Sequence, residues 1–330
     1  WPADLDYSGK KVVVIGSGAT AMTLVPEMAK TAGHVTMVQR SPTYVVARPS
    51  SDAIADFLRA KLPAQLAYNL VRWKNVAFGL YFYNLCKRKP EKVKNYLLKL
   101  VREQLPSGYD VEKDFTPRYK PWDQRLCLIT DGDLFQAIRE NRASVATDTI
   151  ERFTERGLKL TGGKEIEADV IVVATGLFLQ QFGGAELAVD GRKVELSKTL
   201  NYKGMMFSDV PNLAATFGYT NASWTLKADL IGEYVCRILN AMEAKKKRIV
   251  VARNEDTDMP VEDFVDFSSG YFQRALDTLP KQGARKPWRL YQNYLKDLLS
   301  LRYGDVEDGA LRFEDASPKA APAPREKEAA

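Results

Sequence analysis

An α/β fold organised in two units is what this sequence predicts, and three observations predict it. A lysine-led apolar run, Lys10-Lys11-Val12-Val13-Val14-Ile15, opens straight into Gly16-Ser17-Gly18-Ala19-Thr20-Ala21 and an amphipathic stretch, which is the order strand, glycine turn, helix. A second apolar run, Ile166 to Gly176, ends in Ala174-Thr175-Gly176 and reads as a buried parallel strand. Finally, 330 residues exceed the usual size of one domain.

The elements follow in order. The first helix is expected from about Ala19 to Thr31, stopped by Gly33, and a second strand runs His34 to Gln39. In this context the turn has a chemical reading. Glycines let the backbone approach a dinucleotide pyrophosphate, and the helix start aims unpaired N–H groups and the positive dipole end at it. Gly16, Ser17, Gly18, Ala19, Thr20 and Ala21 are therefore candidate phosphate-binding residues of a Rossmann-like domain. The alternative is a turn that serves strand–helix packing alone.

The end of the second strand refines the ligand. An NAD site places an Asp or Glu there to accept from the ribose 2′-hydroxyl, whereas this strand ends Val38-Gln39-Arg40-Ser41. A fixed cation with several donors suits a 2′-phosphate, so NADPH is expected, with Arg40 and Ser41 at its site. Otherwise Arg40 is a solvated surface arginine.

From Ser51 to about Leu105 the pattern is helical, bounded by Pro63 and Pro90, with Leu66, Leu70 and Trp73 on one face and aromatics at Phe78, Tyr81, Phe82 and Tyr83. This reads as a helical insertion whose apolar face is either core or a lid over an apolar substrate. A helix is expected from Thr130 to Asn141, and short strands around Val145, Phe153 and Leu158. The small residues Ala174, Thr175 and Gly176 let the backbone pass a cofactor or cross between domains. Beyond them a helix is expected from about Ser223 to Met242, and the Ala-, Pro-, Lys- and Glu-rich end reads as disordered.

Composition excludes whole classes. The single histidine, His34, rules out a Ser-His-Asp hydrolase or a multi-histidine metal site built from this chain, and is expected to be structural. Cys86, Cys127 and Cys236 lack metal or redox spacing and read as small buried hydrophobes in a reducing compartment. With neither a leader pattern nor a spanning segment, the cytoplasm is the default. Residues 87–125 hold 11 Lys or Arg against 6 Asp or Glu, nearly the whole net excess of +6. Without a nucleic-acid motif, a cofactor phosphate or a membrane surface is the more economical partner.

Taken together, Trp1-Pro2, Gly16 to Ala21, Gln39-Arg40-Ser41-Pro42, Pro121-Trp122-Asp123-Gln124-Arg125-Leu126-Cys127 and Asp169 to Gly176 resemble the class B flavoprotein monooxygenases of the Baeyer-Villiger type. Lys120 to Cys127, Lys203-Gly204-Met205-Met206 and Gly218 to Leu230 resemble the family's ethionamide-activating branch. The resemblance implies FAD and NADPH as cofactors and O₂ as co-substrate, and one oxygen transferred through a C4a-(hydro)peroxyflavin to a ketone, a sulfide or a thioamide. It implies Arg125 as the catalytic cation, which cannot lose its proton and would stabilise the peroxide and the oxyanion. The helix expected to begin near Ser223 has a physical reading of its own: an N-terminus aimed at the flavin N1 and C2 carbonyl would favour the negative charge that appears on reduction, with Thr220, Asn221 and Ser223 as suitable cap residues, against the alternative of ordinary capping.

The family carries its FAD phosphate turn upstream of Trp-Pro, so on this reading the chain is a C-terminal portion that is inactive alone. The expected layout is an NADPH-binding domain in two parts, 1–50 and 116–176, a helical insertion at 51–115, the C-terminal part of an FAD-binding domain at 177–316, and a tail at 317–330. Gln124 stands where many members have a lysine for the 2′-phosphate, which leaves selectivity to Arg40. Peripheral membrane contact and self-association are compatible with this reading. Other N- or S-oxygenating flavin monooxygenases, or a nucleotide-binding module without turnover, are the alternatives.

Overall fold

A computed structural model of the chain describes residues 2–124 and 126–315; the expectations placed on Trp1, Arg125 and the tail lie outside the described residues. Two compact units emerge, one of Trp1–Phe178 with Ser268–Tyr271, the other of Leu179–Phe267 with the stretch from Phe272 on.

The first unit is built on β1 (Lys11–Ile15), α1 (Ala19–Met28) and β2 (His34–Gln39). Lys30 and Thr31 close the end of α1 with bonds to Glu27 and Met28 three residues back. The regular helix is therefore shorter than the expected span to Thr31. β3 (Val45–Arg48) leads to α2 (Ala53–Lys61), α3 (Ala64–Arg88), α4 (Pro90–Arg102) and α5 (Val111–Phe115). Pro63 and Pro90 mark the starts of α3 and α4, where a missing N–H costs nothing.

β4 (Cys127–Thr130) follows, then α6 (Asp133–Arg139), β5 (Ala143–Thr147), β6 (Ile150–Thr154), β7 (Gly157–Leu160), β8 (Glu165–Glu167) and β9 (Val170–Val173). The helix expected from Thr130 is thus cut short by a strand: Cys127 and Ile129 are buried between exposed Leu128 and Thr130, an alternation of period two. β4 pairs in parallel with β3.

The main sheet is parallel in the order β5-β2-β1-β9. Val12 and Val14 face one layer, with α1 and α6, while Val13 and Ile15 face the other, where β6, β7 and β8 supply Leu158, Leu160 and Ile166. Burial on both faces explains why β1 is apolar without alternation.

The second apolar run is not one strand. It breaks at Ala168-Asp169, leaving Ile166 in the antiparallel β6-β7-β8 sheet and starting β9 at Val170. Asp169 makes the break, since its carboxylate accepts from the Lys11 N–H at 2.7 Å and clamps the start of β9 to β1. Nor is β9 fully buried: it is an edge of the sheet, and Val173 is 67% exposed.

In the second unit a long helix, α7 (Trp224–Ala244), is accompanied by short antiparallel pairs, Asn201–Tyr202 with Met206–Phe207 and Ile249–Ala252 with Leu311–Glu314. Tyr202, Met205, Leu230, Tyr234 and Leu301 are buried there. Cys86 and Cys127 are buried as expected, but Cys236 is exposed, because its position on α7 falls off the buried stripe Leu230, Ile231, Tyr234 and Ile238.

Candidate functional site

The glycine turn lies between the C-terminal ends of β1 and β9, where the chain order of the sheet reverses and α/β proteins open a crevice. Its two glycines have different reasons. Gly16 has φ +137°, and a Cβ there would lie 2.3 Å from the Ala174 carbonyl oxygen, so the protein's own packing demands it. Gly18 has ordinary extended backbone, and nothing lies within 4 Å of where its Cβ would be. No atom of the described residues requires that glycine. Ala21 is buried against the sheet, which is the third small position of the motif.

Around the open position, Gly18, Ala19 and Thr20 are exposed. Neither a side-chain cap nor an acidic residue occupies the first turn of α1. Its leading N–H groups and positive end are uncapped, which is what an anion site needs. The Ser17 hydroxyl donates to the Ser41 carbonyl at 3.0 Å, which ties the turn to the residue after Arg40. Arg40 itself is exposed and makes no hydrogen bond or ion pair among the described residues. Ala174 donates its N–H to Ile15 O at 2.8 Å, and Thr175 and Gly176 are exposed beyond it.

A buried polar cluster behind Arg40 was not legible from motifs. Gln39 donates to the Asp114 carbonyl and to the Thr147 hydroxyl, both at 2.7 Å. Thr147 and Tyr109 in turn donate to the Asp114 carboxylate at 2.7 and 3.0 Å. Burial pushes the Asp114 carboxyl above the usual carboxylate range, against the two hydroxyl donors that lower it. The cluster fixes the end of β2 and hence the base of Arg40.

Arg125 lies outside the described residues, so only its neighbours can be placed. Lys87 pairs with Asp123 at 2.9 Å, and Ser268 donates to the Asp123 carbonyl at 2.8 Å. His34 is structural, bridging Asn141 O and Ser144 Oγ at 3.1 and 2.8 Å.

In the second unit, Asn221 donates to Gln292 O at 2.9 Å rather than to α7, and Ser223 occupies the cap position with its hydroxyl hydrogen-bonded to the Thr225 hydroxyl at 2.8 Å instead of to a helix N–H. Inside that unit Lys227 pairs with Asp297 at 2.8 Å, both almost fully buried, and Tyr219 donates to the same carboxylate at 2.7 Å. Burial lowers the Lys227 pKa and raises that of Asp297, and each partner opposes the other's shift. Lys203 and Asp308 form a second inner pair at 2.9 Å, with the Tyr202 and Tyr234 hydroxyls around them.

Fold and comparison agree on an α/β architecture shared with solved monooxygenase structures. Solved structures with this fold include an oxidized steroid monooxygenase bound to NADP (TM-score 0.63, 17% identity, 96% of this chain and 69% of that one). A complex of OTEMO with FAD and NADP gives a TM-score of 0.59 at 20% identity, over 78% of this chain and 56% of that one. By sequence the chain is similar to FAD-containing monooxygenases. It is 54% identical over 314 residues to the FAD-containing monooxygenase EthA of Mycobacterium tuberculosis, and 48% identical over 317 residues to the probable FAD-binding monooxygenase AlmA of Acinetobacter baylyi. These matches take in 95% of this chain but 64% and 63% of the relatives, so the chain spans somewhat under two thirds of their length. No protein-family model matches it.

Proposed function

We propose that the first unit is the NADPH-binding domain of a flavin-dependent monooxygenase that consumes NADPH and O₂ and oxygenates a small apolar ketone, or the sulfur of a sulfide or thioamide. The observation that carries this reading is the open position at Gly18, before an uncapped helix start and beside the exposed Arg40. Gly16 to Ala21 would hold the pyrophosphate, and Arg40 with Ser41 the 2′-phosphate. Ala174, Thr175 and Gly176 are assigned to the cofactors by resemblance, and Asn221 and Ser223 by their place beside the start of α7. Bound FAD would supply the oxygen activation. The part of this chain's own residues is to orient the nicotinamide cofactor and, through Arg125, to place a permanent cation where negative charge develops.

Binding of NADPH and NADH to the wild type and to Arg40→Ala tests the assignment. A charge-assisted contact contributes about 1.5–3 kcal/mol, so NADPH should weaken about ten- to a hundredfold while NADH hardly changes. Equal losses for both cofactors would remove Arg40 from the 2′-phosphate site.

A further inference from the structure

The chain just before Arg125 turns on a residue that its backbone does not suit. The Asp123 N–H donates to the Lys120 carbonyl at 3.0 Å, which closes a four-residue turn with Pro121 and Trp122 at its centre. Proline first and a positive φ second is the pattern of a type II turn, whose second central position calls for glycine or asparagine. Here Trp122 stands there, at φ +68°. A bulky residue persists in the left-handed region only where its surroundings hold it, and such residues gather at functional sites.

What holds it comes from the C-terminal turns of α3. The rings of Tyr83 and Trp122 meet edge to face at 6.1 Å. The Trp122 side chain also packs on the buried cluster of Tyr44, Cys86, Val93, Leu97 and Leu126. One helical turn on from Tyr83, the Lys87 ammonium donates to the Trp122 carbonyl at 3.3 Å, pairs with the Asp123 carboxylate at 2.9 Å and lies 6.0 Å from the centre of the Tyr83 ring. Ser268 adds two bonds to the Asp123 carbonyl, from its N–H at 3.1 Å and its hydroxyl at 2.8 Å.

Leu126, the residue after Arg125, is buried in the cluster on which Trp122 packs. The backbone is therefore held on both sides of Arg125, by α3 and Ser268 before it and by the core after it. Burial of the indole ring offsets the strain at Trp122. It does not account for Lys87, which grips a carbonyl and a carboxylate of the turn through an ion pair too exposed to add much stability. What these contacts fix is the direction in which the chain leaves the turn. A cation carried by a fixed turn is in place when negative charge develops, whereas one on a loose turn must first be ordered.

We propose that Trp122 and Lys87 are positioning residues for Arg125, anchoring to α3 the turn from which it departs. Their role rests on the reading of Arg125 as the cation of the oxygenation step.

Two readouts test it. In the chain as it stands, without cofactors, hydrogen exchange of the peptide covering residues 119–128 should speed up in Trp122→Gly and in Lys87→Met, while the other peptides keep their wild-type rates. In the FAD-loaded protein, both variants should cut oxygenated product about ten- to a hundredfold, with anaerobic flavin reduction by NADPH hardly changed. Trp122→Phe and Lys87→Arg, which keep a ring and a charge, should restore most of the loss. Because both residues act through Arg125, Lys87→Met should add nothing to the effect of Arg125→Ala. If Arg125→Ala removes product while Trp122→Gly and Lys87→Met leave both readouts at wild-type values, the positioning role is wrong and the reading of Arg125 stands. If Arg125→Ala itself leaves oxygenation intact, that reading falls and the positioning role with it. Faster exchange throughout the chain, or equal losses in the two half-reactions, would overturn the proposal by assigning Trp122 and Lys87 to the stability of the fold. Should Trp122→Gly fail to fold, Lys87→Met and its rescue by Lys87→Arg decide.

Discussion

Adding one methyl group at Gly18 and at Gly16 should produce opposite outcomes, because the structure gives the two glycines different jobs. At Gly18 the backbone is extended and the space is open, so Gly18→Ala should leave stability within about 0.5 kcal/mol of the wild type or slightly above it. The new Cβ would stand in the path of a pyrophosphate drawing close to the first N–H groups of α1. Losing one charge-assisted bond of about 1.5–3 kcal/mol weakens NADPH binding about ten- to a hundredfold. At Gly16 the methyl group would meet the Ala174 carbonyl oxygen at 2.3 Å with φ at +137°. Strain of about 1–3 kcal/mol comes before any clash, and the thermal midpoint should fall by roughly 2–4 °C per kcal/mol. Calorimetric titration with NADPH and thermal unfolding of both variants give the four numbers needed. If Gly18→Ala bound NADPH as the wild type does, or lost as much stability as Gly16→Ala, the assignment of that open position to a ligand would be wrong.

Three further outcomes are expected. In the FAD-loaded protein, Arg125→Ala should cut oxygenated product by about a hundred- to a thousandfold, while anaerobic flavin reduction by NADPH falls far less; the reverse pattern in stopped flow would make Arg125 a cofactor-positioning residue. Lys227→Met should destabilise the protein by about 3–5 kcal/mol by leaving Asp297 buried without its cation, and Lys227→Met/Asp297→Leu should recover most of the loss in denaturant unfolding, whereas a single variant within 1 kcal/mol of the wild type would refute the pairing. Because burial raises the Asp114 pKa, the folded state binds a proton more readily than the unfolded one. This contribution to stability is fully present below the ordinary carboxylate pKa and is lost as pH rises through the raised value. Asp114→Asn should flatten that slope, and an unchanged profile would show that the carboxyl does not titrate as the structure requires.

What was legible in the sequence was local. The β1-turn-α1-β2 unit could be read because strand, glycines and helix lie within thirty residues and each announces itself by period or by backbone need. Pro63 and Pro90 marked helix starts for the same reason. β3 and β4 were missed, because each is four residues long and is stabilised by pairing with the other across some eighty residues of chain. The run Ile166 to Gly176 looked like one strand because both halves are apolar; only the long-range contact of Asp169 with Lys11 divides it. Likewise the apolar face of α3 has the period of a core helix, and periodicity cannot tell a face packed inside from one left outside.

The buried lysines teach a narrower lesson about candidate sites. Lys227 is spaced three, four, seven and eleven residues from Leu230, Ile231, Tyr234 and Ile238, so it falls on the stripe of α7 that is buried. A charge at such a position must find its counter-charge inside or lose its proton. The sequence therefore contained a signal for an internal ion pair, although it could not name Asp297, which lies seventy residues further on. Arg40 shows the opposite case: an exposed cation carries no such obligation, and its meaning comes from the open glycine turn tied to it through Ser17 and Ser41. A charge inside is explained by its partner. A charge outside, beside a space the protein itself does not fill, is explained on the proposed reading by the cofactor phosphate that would occupy that space.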